Sequence, residues 1–168
     1  NKLPIRLGGE IIEIGAVMLD ENLQEVSRFS SLIRSQIGKK LRGSVKQLTH
    51  ITNEDLDNGL PFTKALSQLR RWIGNRDNVV ITWGDGDIRV LIENCRYLNG
   101  IKIVPFLSNY ADVQAYFHSI FNSPPSRQVG LSAAAQLLGI DEEEFSHHRA
   151  LDDYYSDTEL SLFASHPN

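Results

Sequence analysis

Two consecutive stretches of alternating apolar and polar residues, "EIIEIGAVMLD" (Glu10–Asp20) and "QEVSRFSSLIR" (Gln24–Arg34), are separated by the turn-like "DENL". A two-residue period puts successive side chains on opposite faces, so a chain that begins this way is committed to a sheet, here an antiparallel hairpin. Beyond Arg34 the period changes. A short helix is predicted over Ser44–Ile51, "TNEDLDNGLP" reads as loop, and "PFTKALSQLRRWIG" has helical spacing between an opening Pro and a closing Gly. "NVVITW" is a short apolar strand that ends at "GDGD", and "DIRVLIENCRYLNG" is a helix with a Gly C-cap. "IKIVPFLSNY" is predicted as a strand, "YADVQAYFHSIF" as a helix, "SPPSRQ" as a loop, "GLSAAAQLLGI" as a helix and "RALDDYYSDTELSLFA" as the terminal helix. An early hairpin followed by alternating strands and helices describes an α/β layer, a mixed sheet flanked by helices.

Composition bounds the rest. With 168 residues, 41% of them hydrophobic and 23% charged, the chain suits a single domain spanning residues 1–168. No apolar run is long enough to cross a bilayer, and "NKLPIRLGGE" lacks the basic-then-apolar plan of a secretory signal, so a cytoplasmic protein without a membrane partner is expected. The single cysteine, Cys95, can form no internal disulfide and offers no zinc signature; it reads as a small buried apolar residue. A net charge of -4 argues against a large sequence-independent nucleic-acid clamp. It leaves room for an enzyme that meets nucleic acid through metal ions and a local basic rim, for which "LRRWIGNR" and "GKKLRG" supply charge.

In an open α/β sheet, functional side chains gather where strands end and helices begin. "ITWGDGDIRVL" is such a junction: Asp85 and Asp87 follow the strand, and Gly84 and Gly86 permit a tight path. A bland account of Asp87 is that it caps the following helix. Trp83 stands beside the junction, either as a wall of a pocket or as core. Near the other end, "HHRALDDYYSDTEL" gathers His147, His148, Asp152, Asp153, Asp157 and Glu159. Acidic residues in a first helical turn complement the helix dipole, which explains such a cluster structurally, while converging carboxylates also make sites for hard divalent cations.

Taken together, "EIIEIGAVMLD", "LTHITNEDLDNGLPFTKAL", "VVITWGDGDIRVL", "RQVGLSAAAQLLGI" and "HHRALDDYYSDTEL" resemble, in order and spacing, the DEDD-type 3′-to-5′ exonucleases of the DnaQ-like superfamily, across nearly the whole chain. The chain is most similar to the histidine-bearing (DEDDh) subtype, in its KapD-like and ERI-like branch. "HRALDD" matches the His-x-Ala-x-x-Asp pattern of the third motif. The resemblance implies an RNase H-like fold, with His148 as general base, Asp153 and Asp87 as metal ligands, and Mg²⁺ or Mn²⁺ in a two-metal site that hydrolyses phosphodiester bonds at single-stranded 3′ ends of RNA or DNA. Asp85 is the alternative to Asp87. His147 points elsewhere, Asp152 caps or faces solvent, and Asp157, one turn beyond Asp153, could support the site indirectly.

The chain departs from the family at the first motif. Asp-x-Glu normally lies on a first, central strand just ahead of the one that reads "EIIEIGAV" here, and the preceding "NKLPIRLGG" holds none. The expectation is a domain truncated at its N-terminus, lacking or altered in the first strand, and nearly inactive as it stands. The alternative is an exonuclease-like domain that binds nucleic acid or a protein without cleaving. Glu10 and Glu13 are tempting substitutes but read as structural, the alanine-rich face of "GLSAAAQLLGI" reads as packing, and Arg127 and Gln128 read as a solvated loop within reach of a phosphate backbone.

Overall fold

The computed structural model describes residue 7 and residues 9–38, 40–75, 78–100, 104–121, 128–140 and 159–165. Among these, five strands form one mixed sheet: β1 (Glu13–Leu19), β2 (Glu25–Leu32), β3 (Val79–Thr82), β4 (Tyr110–Asp112) and β5 (Glu159–Ser165), in the order β2-β1-β5-β3-β4. β1 pairs antiparallel with β2 and parallel with β5, while β3 runs antiparallel to β5 and parallel to β4. The helices are α1 (Gly43–Thr49), α2 (Asn53–Asn58), α3 (Phe62–Ile73), α4 (Gly86–Asn99), α5 (Val113–Ile120) and α6 (Leu131–Leu137). No described helix is long and apolar enough to cross a membrane.

The hairpin forms as its alternation predicts. Asp20 closes the turn by accepting from the backbone N–H groups of Asn22 and Gln24, both at 2.9 Å, which supports the left-handed Leu23 (φ 61°). β1 is buried from Glu13 through Met18, on both of its faces, as an interior strand must be. β2 is an edge strand, with half of its residues exposed, and α3 lies against it: Trp72 Nε1 donates to Ser27 Oγ at 2.8 Å and the Trp72 ring meets Phe29 at 5.8 Å.

The core divides at Ile11 and Ile12. Ile11 joins Ile14, Phe62, Leu69, Leu91 and Cys95, uniting α3 and α4 with β1, whereas Ile12 packs with Ile51 and Leu56 from the segment around α2. Asn94, fully buried, ties α4 to the entry of β1: its Oδ1 accepts from Ile11 N–H at 3.1 Å and its Nδ2 donates to Gly9 O at 3.0 Å. Cys95 is fully buried as expected, and burial pushes its thiol up to about 11.

Three sequence expectations need correction. "TNEDLDNGLP" contains a helix, α2, because Thr52 and Asp55 form a reciprocal capping box. "IKIVPFLSNY" is not one strand: among its described residues Pro105–Leu107 makes a 3₁₀ turn and β4 begins at Tyr110, so the helix predicted from Tyr110 begins only at Val113. Within the predicted terminal helix, Glu159–Ser165 is β5. The buried flank of β1 opposite β2 requires partners for its backbone groups, and β5 supplies them. The rest of that predicted helix lies outside the described residues.

Gly59 carries a testable packing constraint. A Cβ there would sit 2.9 Å from both Arg34 N and the Ile33 carbonyl carbon, backbone atoms held in place by the Arg34 N–H to Leu60 O and Leu60 N–H to Leu32 O bonds. Backbone cannot rotate away as a side chain does, so Gly59→Ala should destabilise the fold by about 2 kcal/mol, in the range of overpacked sites. Urea denaturation checks this, and an unchanged midpoint would show that the α2–β2 contact yields freely.

Candidate active site

β3 and β4 are parallel, with Thr82 beside Asp112, and both deliver their chains to the same end of the sheet. There the chain turns through Trp83, Gly84 and Asp85 into α4. Thr82 is buried, and its hydroxyl and that of Tyr110, 3.0 Å apart, converge on the Gly84 carbonyl oxygen at 2.5 and 3.0 Å. Burial raises the Tyr110 pKa; the bond with Thr82 opposes it, and the nearby carboxylates of Asp112, Asp85 and Asp87 add to the rise. Tyr110 therefore remains a donor at neutral pH.

Gly84 N–H donates to Asp112 Oδ1 at 3.1 Å. Its φ of +86° is left-handed, and a Cβ on it would meet Gln114 Oε1 at 3.0 Å, so two constraints favour glycine. Gln114, buried on α5, donates from Nε2 to Val129 O at 2.9 Å, and Trp83 Nε1 donates to the same carbonyl at 3.1 Å. His118 Nε2 accepts from Val129 N–H at 3.4 Å, and Phe117 packs against Trp83 with ring centroids 5.6 Å apart. The turn after β3, the start of α5 and the entry to α6 are thus one connected unit.

The candidate residues fall into distinct settings. Asp85 occupies the N-cap position of α4 without a side-chain capping bond; its carboxylate instead pairs with Arg89 at 2.8 Å, in a solvated pair of small energetic value. Asp87 is half-buried in the first turn of α4, where the helix dipole favours its negative charge. It does not occupy the cap position that the bland account gave it. Trp83 is half-buried, with its Nε1 bonded to the Val129 carbonyl and its ring against Phe117, and Gln128 is exposed.

Glu10 and Glu13 lie on the hairpin side. The Glu10 carboxylate accepts from the backbone N–H groups of Gln36, Ile37 (3.2 Å) and Gly38 (3.1 Å) and from Ser35 Oγ (2.7 Å), anchoring the loop after β2. Glu13 is buried and accepts from Ser30 Oγ at 3.3 Å. Arg127, His147, His148, Asp152, Asp153 and Asp157 lie outside the described residues, and Glu159 is the first residue of β5. Among the described residues no three His, Cys, Asp or Glu side chains converge as a metal site. Thr82, Tyr110, Asp112 and Gln114 escaped the sequence reading. The one available signal was Asp112 three residues before Ala115, the N-cap spacing, hidden because the helix had been predicted to start at Tyr110.

Comparison with known proteins adds family and fold. The RNase T family model, described as exonuclease, matches residues 6–160. The chain is 33% identical over 145 residues to the probable 3′-5′ exonuclease KapD of Bacillus subtilis (strain 168), covering 86% of this chain and 67% of that protein. It is 30% identical over 169 residues to human ERI1 exoribonuclease 2, covering 86% of this chain but only 23% of that protein. The fold is similar to the nuclease domain of 3′hExo, a DEDDh family member crystallised with rAMP, at a TM-score of 0.64 and 19% identity over 78% of this chain and 80% of that one.

Proposed function

The chain belongs to the RNase T exonuclease family, and from that premise we propose that it is a metal-dependent 3′-to-5′ exonuclease domain acting on single-stranded 3′ ends. The observation that carries the reading is the position of Asp87, half-buried in the first turn of α4 at the carboxyl end of β3, inside the family-matched span. RNA is the favoured substrate, because the relatives include an exoribonuclease and a nuclease domain bound to a ribonucleotide.

Asp87 and Asp153 would hold the cations. Both offer the hard oxygen donors that Mg²⁺ and Mn²⁺ prefer, and Asp87 lies beside a turn already braced by backbone and side-chain bonds. When bound, such a metal pair polarises the phosphoryl oxygens and activates water. His148 takes the proton from the attacking water, a task suited to an imidazole that titrates near neutrality. Tyr110 and Thr82 hold the Gly84 carbonyl and so fix the path of the chain into α4.

Preceded by the family's Asp-x-Glu strand, the domain should shorten a 5′-labelled single-stranded RNA from its 3′ end in Mg²⁺ or Mn²⁺ and leave it intact in excess EDTA. Undiminished cleavage in EDTA overturns the mechanism. Residues 1–168 alone should cleave slowly or not at all, since two carboxylates hold a cation weakly. A second reading, a domain that binds nucleic acid or a protein without cleaving, draws support from β5, which fills the centre of the sheet with Glu159 as its sole carboxylate. It gains if the supplemented domain binds RNA yet leaves it whole with either metal.

A further inference from the structure

We propose that Asp112 is a positioning residue for Asp87, setting the turn from which α4 presents that carboxylate; this rests on the reading of Asp87 as a metal ligand. Asp112 Oδ1 accepts two hydrogen bonds at 3.1 Å, from Ala115 N–H and from Gly84 N–H. The first is an ordinary helix cap for α5. The second does nothing for α5. It crosses from the end of β4 to the neighbouring turn and joins the two strand ends at the level where Thr82 pairs with Asp112.

The carbonyl of Gly84 is held from the other side by Thr82 and Tyr110, so the N–H and C=O of this one residue are both anchored by side chains. With a left-handed backbone at Gly84 and the Gln114 amide against it, the turn has little room for a second arrangement. Asp87 follows three residues later. Groups that orient a ligand without touching the metal commonly influence affinity by roughly 10- to 100-fold. Asp112 acts here through a neutral acceptor geometry, with its charge incidental: one oxygen with two lone pairs accepts both bonds, and an asparagine offers the same oxygen.

That difference separates a brace from a ligand. In Asp112→Ala, Mn²⁺ binding, read from the electron paramagnetic resonance signal of the free ion, should weaken by roughly tenfold or more, and the Gly84 amide should exchange its hydrogen faster. Asp112→Asn should keep both within about threefold of wild type, because it retains the acceptor. Thr52→Ala, which removes a cap of the same kind from α2, should leave Mn²⁺ binding unchanged. Wild-type Mn²⁺ affinity in Asp112→Ala, with Asp87→Asn impaired, overturns the brace alone. Equal loss in Asp112→Asn and Asp112→Ala also overturns it, since the charge would then matter. Equal Mn²⁺ binding by wild type and Asp87→Asn removes the metal reading of Asp87 and the proposal with it, and Gly84 exchange then reports only on the turn.

Discussion

His148→Ala, in the domain preceded by an Asp-x-Glu strand, is expected to lower the rate of hydrolysis by roughly 10²- to 10⁴-fold, the usual contribution of a positioned general base. A base acts on the attacking water and contributes little to packing, so the midpoint of thermal unfolding should stay near that of the parent. Asp87→Asn should also lose turnover, by a different route. Removing a carboxylate weakens cation binding, so raising Mn²⁺ should recover part of the Asp87→Asn rate and none of the His148→Ala rate. The pH profile adds a further check: loss of the imidazole should flatten the rise in rate between about pH 6 and 7, where a histidine gives up its proton. Parental turnover in His148→Ala at neutral pH would end the histidine-base assignment.

Deletion of Glu159–Ser165 should abolish cooperative unfolding. β1 and β3 each pair with β5, and the sheet order places it between them, so its loss divides five strands into the separate pairs β2-β1 and β3-β4. β1 would then present backbone groups without partners along a strand whose residues are almost all buried. Each orphaned buried group costs about 1–3 kcal/mol, so several together are comparable with the roughly 5–15 kcal/mol by which a domain is stable. Calorimetry should show no sharp transition and the near-ultraviolet circular dichroism should collapse. A deletion variant that melts sharply at the parental temperature would show that the two strand pairs are held together through α3 and α4 instead.

Local chemistry accounts for what could be read in advance. The hairpin, α3 and α4 were legible because period, turn residues and caps agree in each: Pro61 and Gly74 bracket α3, and Gly100 closes α4 in a left-handed cap. α2 was masked by its polar composition, although Thr52 and Asp55 carried the capping box that makes it a helix. β5 was not legible, because the same alternation of Leu, Ser and Phe suits a helix face or a strand, and the choice is made by the unpaired flank of a strand far away in the chain. At the candidate site, Asp85 and Asp87 announced themselves by type and position. The residues that shape their turn did not: Thr82, Tyr110 and Asp112 are ordinary in isolation and acquire a role only when β4 is laid beside β3.

Cys95 gives the molecule a built-in clock. It is the chain's one cysteine, it is shielded completely between α4 and the sheet, and its thiol is held in the unreactive protonated form at neutral pH. An alkylating reagent can therefore reach it only during the moments when α4 has parted from the core. In dilute reagent the labelling rate follows the population of opened molecules, and in excess reagent it approaches the rate of opening itself. One sulfur atom, with no engineered probe, converts the parting of α4 from its side of the core into a mass change on a single peptide.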